Sequence, residues 1–296
     1  MIELREALTY AQRLAYVRTM RRAQKSIGKL EATTLKAILR ELEQARNQVL
    51  GALADATQFG QWHLPQVLRA TQDAIEEVKR DIIRIAGKGN EEAFDLGLAR
   101  TSQAAKTLGI NYGDQLVGVA REPLELAQTW TADLVQGETE AALRRITRDI
   151  RLGTAGGLSR EQLVQRVTGT VTQEFKFGTL RKRSQAIVRT EINRVHNAAH
   201  QEGMKRAEAS NVKVRKQWIS AQDDRVRDEH VQMHGQIVGV DERFEYPGLP
   251  ESEWPLYPLD PVLPAAASVG CRCGIIELFE VIDTGDADDI SVEVSA

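Results

Sequence analysis

Four side chains near the C-terminus are of types and spacings that can do chemistry: His230, His234, Cys271 and Cys273. Residues two apart on a strand point to the same face, so Cys271 and Cys273 can present two thiolates together. The same closeness makes them a poor disulfide, because sulfur geometry would strain the chain. Read on a helix, His230 and His234 are four apart and share a face. Two imidazoles and two thiolates would complete a tetrahedral zinc site of the structural type, so structural zinc is the cofactor this set would take. The spacing is not that of a zinc finger. The alternative is that the cysteines pack as small apolar residues while His230 bonds to Asp224 or a backbone carbonyl.

These residues need elements to hold them. Val212 to Ser220 alternates apolar and polar residues as a strand does, with Trp218 as its large apolar anchor. A short helix is expected over 222–234, opened by Asp223 or Asp224. A second strand is expected over 237–240, a proline-rich loop over 247–264, and a last strand over 273–282. Before them the chain reads as helix. Leu35, Ile38, Leu39, Leu42 and Val49 repeat at helical spacing, with Thr33 or Thr34 as cap, and so do Leu68, Ile75, Val78, Ile82 and Ile85. Pro65 suits a first turn, and Gly87 and Gly89 are expected to end that helix. Further helices are expected at 90–106, 122–136 and 138–152. Ser159 and Gln162 form a capping box, and a long helix is expected over 182–208. The fold class is thus a mainly α N-terminal part with a small α+β C-terminal domain.

Arg189-Thr190-Glu191 with Asn197, then Trp218, then Asp223-Asp224-Arg225-Val226-Arg227 with His230, then His234-Gly235, and finally Gly270-Cys271-Arg272-Cys273, stand in one order. This order resembles the C-terminal domain of the phage head-morphogenesis family, the minor head proteins of the Mu F type. The resemblance covers roughly 155–282. It departs at Gly270, where asparagine is usual, and lacks cysteines that some relatives carry near Arg227 and His230. It divides the chain into a helical region (1–154) for capsid or portal docking, the head-morphogenesis domain (155–282) and an acidic tail (283–296). It implies a protein present in few copies, built into the procapsid at the portal vertex. Its partners would be portal, scaffold or major capsid protein, its place the virion interior, and the host cytoplasm during assembly. The motif residues Arg189, Glu191, Asn197, Trp218, Asp224, Arg225, Arg227, Gly235 and Arg272 then read as structural. Arg189 would pair with Asp223 or Asp224, and Arg272 would point away from the thiols to solvent or an acidic partner.

Other functions compete. Asp223, Asp224, His230 and His234 could hold a catalytic metal with Arg227 steadying a phosphate, which would make a nuclease or hydrolase. No H-E-x-x-H, G-x-S-x-G or phosphate-binding glycine loop accompanies them, so no enzyme is expected. Arg181, Lys182, Arg183, Arg189, Arg194, Lys205 and Arg206 form a local basic run suited to weak, non-specific contact with packaged DNA. The 296-residue chain carries a net charge of −3, which gives no basic domain. No apolar run is long enough for a membrane span, so no membrane partner is expected. His63, His196 and His200 read as exposed or locally bonded helix histidines.

Overall fold

The computed structural model describes residues 10–55, 64–110, 121–156, 158–177 and 179–280. Three long helices come first: α1 (Tyr10–Asp55), α2 (Leu64–Thr107) and α3 (Glu122–Ala155). Then come α4 (Arg160–Thr172), a π-helical turn (Gln173–Phe177) and α5 (Thr179–Ala209). The remainder is β1 (Lys213–Ile219), α6 (Asp228–Met233), β2 (Ile237–Gly239), a single 3-10 turn (Glu251–Glu253), α7 (Ala265–Ser268) and β3 (Gly274–Glu280). No described helix is long and apolar enough to cross a membrane.

The described residues fall into two compact units, and each long helix divides its residues between them. One unit draws on Glu31–Gly89 and Gln128–Arg189. It is all helix, built on stripes of buried residues at helical spacing: Ile38, Leu42, Ala45, Val49 and Leu53 on α1, and Val67, Ile75, Val78 and Ile82 on α2. Arg145 grips the buried carboxylate of Glu174 with two bonds, at 2.6 and 2.8 Å. Arg189 bonds Glu31 at 2.7 Å, so the expected pairing with Asp223 or Asp224 is corrected.

The other unit draws on the described residues within Met1–Leu30, Asn90–Ala127 and Thr190–Ala296. Its antiparallel sheet has the order β2-β1-β3, with Trp218 opposite Ile275 and Lys216 opposite Glu277. Val214, Lys216 and Trp218 alternate onto the buried face. The core joins them to Met204 of α5 and to Met233, Val240, Phe244, Tyr246, Leu259, Leu263, Cys271, Cys273 and Ile275. In the same unit α2 meets α5 backbone to backbone at glycines. A Cβ on Gly97 would lie 2.4 Å from the His196 carbonyl oxygen, and one on Gly203 would lie 2.9 Å from Thr101 Oγ1.

The expected elements recur with four differences, one being that the helix expected over 222–234 is α6, which runs only from Asp228 to Met233 and is not opened by Asp223 or Asp224. Gly87 and Gly89 do not end a helix, since α2 runs on to Thr107. Buried Phe94 and Leu98 continue the stripe past the glycines, and their burial outweighs the roughly 1 kcal/mol a helical glycine costs. The helices expected at 122–136 and 138–152 are one, α3. Thr33 and Thr34 lie inside α1 rather than at its start, with Thr34 buried. The acidic tail and His63 lie outside the described residues.

Candidate functional site

The sequence folds α5 and the sheet around one cluster. Trp218 is fully buried at the end of β1, and its ring meets His230 edge-on at 5.7 Å and Phe244 at 5.3 Å. Tyr246 closes the other side of His230, also at 5.7 Å and perpendicular. His230 comes from α6, whose six residues start at Asp228. Cys271 and Cys273 come from the segment leading into β3. Gly270, with φ +72°, turns the chain there, and its N–H donates to Thr190 Oγ1 at 3.0 Å. That left-handed conformation suits glycine and asparagine alike, which gives a physical reason for one to stand where the other is usual.

These elements bring three expected ligands together. His230 Nδ1 lies 3.5 Å from Cys271 Sγ and 3.4 Å from Cys273 Sγ. All three residues are buried, and their ligand atoms lie within 4.8 Å of one another. The Cys273 thiol, hydrogen-bonding to Cys271, draws the Cys271 thiol down to about 5, helped by His230 and opposed by burial. Cys273 is held far above the ordinary thiol range, by Cys271 first and burial second.

His234 does not join them. α6 ends at Met233, and the His234 backbone turns away at φ −58°, ψ 128°. Its Nδ1 accepts the Ser220 N–H at 3.1 Å, and its Nε2 lies 2.8 Å from Gln222 Nε2. Both ring nitrogens are thus committed to the turn after β1. The expectation of two histidines on one helical face fails because the helix is one residue too short.

The other motif residues build the frame. Arg272 points away from the thiols and takes Asp223 with two bonds of 2.5 Å. That pairing holds the Asp223 carboxyl far below the usual range. Asp224 is exposed, and Arg225 bonds Asp223 at 3.3 Å. Arg227 donates to the Val269 carbonyl at 2.7 Å, joining α6 to the segment before Cys271. Gly235, at φ +85°, donates its N–H to the Trp218 carbonyl at 2.9 Å. Asn197 Nδ2 donates to the carbonyls of Pro258 and Cys273. Glu191 is buried and takes Arg194 Nη1 with both oxygens at 2.8 Å; burial raises its carboxyl despite that pairing. Arg189, by contrast, belongs to the all-helical unit.

Several buried polar residues were missed in the sequence. Lys216 donates to the carbonyls of Val240 and Leu256 at 2.7 and 2.9 Å, and burial pulls its amine down to about 7. Its signal was strand parity, since it stands between inward-facing Val214 and Trp218. Glu277 accepts His200 Nε2 at 2.7 Å, lies 3.8 Å from Arg100 Nε, and its carbonyl accepts the Tyr16 hydroxyl. His196 and His200 are therefore buried rather than exposed, and His200 has an acidic partner from a strand 77 residues away.

The result is an α-helical protein with a small α+β domain in which Arg272 pairs with Asp223, Gly235 bonds Trp218 and Asn197 bonds Cys273. Over residues 131–276 it matches the family described as phage Mu protein F like protein. It is also similar to an uncharacterized protein, YqbB, of Bacillus subtilis (strain 168), at 32% identity over 112 residues. That similarity covers 37% of this chain and 34% of the relative, so the chain spans about a third of the relative's length. No solved structure matches.

Proposed function

We propose that the protein is a minor head protein of a tailed phage or prophage, built in few copies into the procapsid at the portal vertex. One observation carries this reading. The family span, 131–276, contains the frame of the small domain, and Trp218, Arg272, Asn197 and Gly235 bond within that domain or pack in its core. Motif residues spent on holding a domain's shape fit a structural part better than an enzyme, whose polar groups must converge on an accessible cleft. The thiol–imidazole cluster, buried among Trp218, Tyr246 and Phe244, fits the same reading.

The helical region to residue 154 docks to portal, scaffold or major capsid protein. In support, α3 leaves Leu134 and Leu152 exposed at 47% and 53%. They are 18 residues apart, five full turns, and so share a face. The chain works inside the virion near the portal and in the host cytoplasm during assembly, with a further role in DNA packaging or ejection. Direct DNA binding is less favoured. Arg183, Arg189, Arg194 and Lys205 of the basic run each lie within ion-pair distance of a carboxylate.

Quantitative mass spectrometry of purified procapsids tests this. The chain is expected alongside portal protein, at a small fraction of the major capsid protein, and retained after a high-salt wash. Its absence from procapsids, or retention only on DNA with a steep salt dependence, would overturn the reading.

A further inference from the structure

We propose that His230 Nδ1, Cys271 Sγ and Cys273 Sγ bind one zinc ion, in a site with three protein ligands whose fourth position is filled by water. The proposal stands on geometry and does not depend on the head-assembly role. Zinc binds thiolate sulfur at about 2.3 Å and imidazole nitrogen at about 2.0–2.1 Å, and a tetrahedron of those bonds has a sulfur-to-nitrogen edge of about 3.5 Å. The two sulfur-to-nitrogen distances here are 3.5 and 3.4 Å. An ordinary thiol–imidazole contact would satisfy one such distance; a single nitrogen set equally against two sulfurs is the arrangement of a shared ion.

The surroundings favour thiolates. The Cys273 N–H points at Cys271 Sγ at 3.4 Å. His230 Nε2 is buried with no hydrogen-bond partner. A neutral ring with its proton there leaves the Nδ1 lone pair free for metal. The rings of Trp218 and Tyr246 fix the imidazole in place of the hydrogen-bonding partner usual for a ligand histidine. Two thiolates and an imidazole select zinc over magnesium or calcium.

His234 is turned away, and no fourth histidine, cysteine or carboxylate joins the cluster among the described residues. The fourth ligand is therefore exogenous. The ion would tie α6 to the start of β3 and close the intervening proline-rich loop.

The test uses the full, untagged chain from zinc-supplemented medium, with elemental analysis and zinc X-ray absorption. About one zinc per chain is expected, with two sulfurs at about 2.3 Å and two lighter ligands at about 2.0–2.1 Å. The chain has two cysteines, so a count of two sulfurs names both. Because a Cys271→Ser/Cys273→Ser variant can fail to fold, cobalt titration of the chelator-stripped wild-type chain is the second measurement. One equivalent should bind with thiolate charge-transfer absorption, and His230→Gln should weaken uptake by more than about tenfold. A chain with native circular dichroism that contains no zinc and takes up no cobalt would overturn the proposal. So would a bound metal without sulfur in its shell.

Discussion

Lys216 and Glu277 stand directly opposite each other across β1 and β3, both fully buried, and each bonds to other partners. The lysine reaches Gln201 Oε1 and the carbonyls of Val240 and Leu256; the glutamate reaches His200. Gln201 and His200 are consecutive on α5, so one helix reads both charges of the strand pair. A one-residue slip of β1 against β3 would send either charge to the wrong face, and buried charges make such a slip costly. The pair fixes register and seats α5 on the sheet.

The lysine makes stability depend on pH. Its folded amine titrates near 7, below its ordinary 10.5, because burial disfavours the charge. Between those values the unfolded chain binds more protons, so stability rises with pH from about 7 to about 10.5. Denaturant unfolding of wild type and Lys216→Met at stepped pH should show their difference rising by up to about 1.4 kcal/mol per pH unit. Parallel curves would show that Lys216 is not depressed.

The glutamate side should fail in acid. Burial lowers His196 and His200, which stay neutral in the folded chain while the unfolded chain takes up protons as pH drops through about 6.5. Glu277 is also lowered: burial pushes it up, but His200 and Arg100 more than offset that. Stability should therefore fall below pH 6.5, and again below about 4.5. A His196→Gln/His200→Gln variant should flatten the first fall, read as melting temperature against pH. Glu277→Gln should cost about 3–5 kcal/mol at neutral pH, because it leaves Arg100 without its charge partner.

The glycines of α2 separate close packing from helix propensity. Gly97→Ala sets a methyl against the His196 carbonyl and should cost about 1–3 kcal/mol. Gly87→Ala meets nothing within 4 Å and should gain about 0.5–1 kcal/mol. Equal effects in denaturant unfolding would contradict the close approach of α2 and α5.

Arg272 should control Asp223. Carbon-detected NMR should find the Asp223 carboxyl still ionised well below the usual aspartate range, and Arg272→Gln should return it toward that range. An unchanged titration would remove the bidentate pair.

Local features of the fold were legible in the sequence. The Ser159–Gln162 capping box is formed, and α5 and the strands follow their expected spans, because caps and alternation act within a few residues. Cys271, Cys273 and His230 were legible by type and spacing. The role of His234 was not, since where α6 stops depends on the turn that brings His234 to Ser220. Gly87 misled because burial on both sides of it outweighs its propensity. Partners far along the chain, such as Glu31 for Arg189 and Glu277 for His200, leave no local trace.

The central claim is structural membership of the phage head. Its most direct test is co-expression of the full chain with the portal protein of the same phage or prophage, followed by affinity capture of the portal and light scattering of the eluted complex. The account predicts that the chain elutes with the portal ring in a fixed, low ratio that persists after nuclease treatment and high salt. A portal ring that elutes without the chain under conditions where both are folded would contradict it.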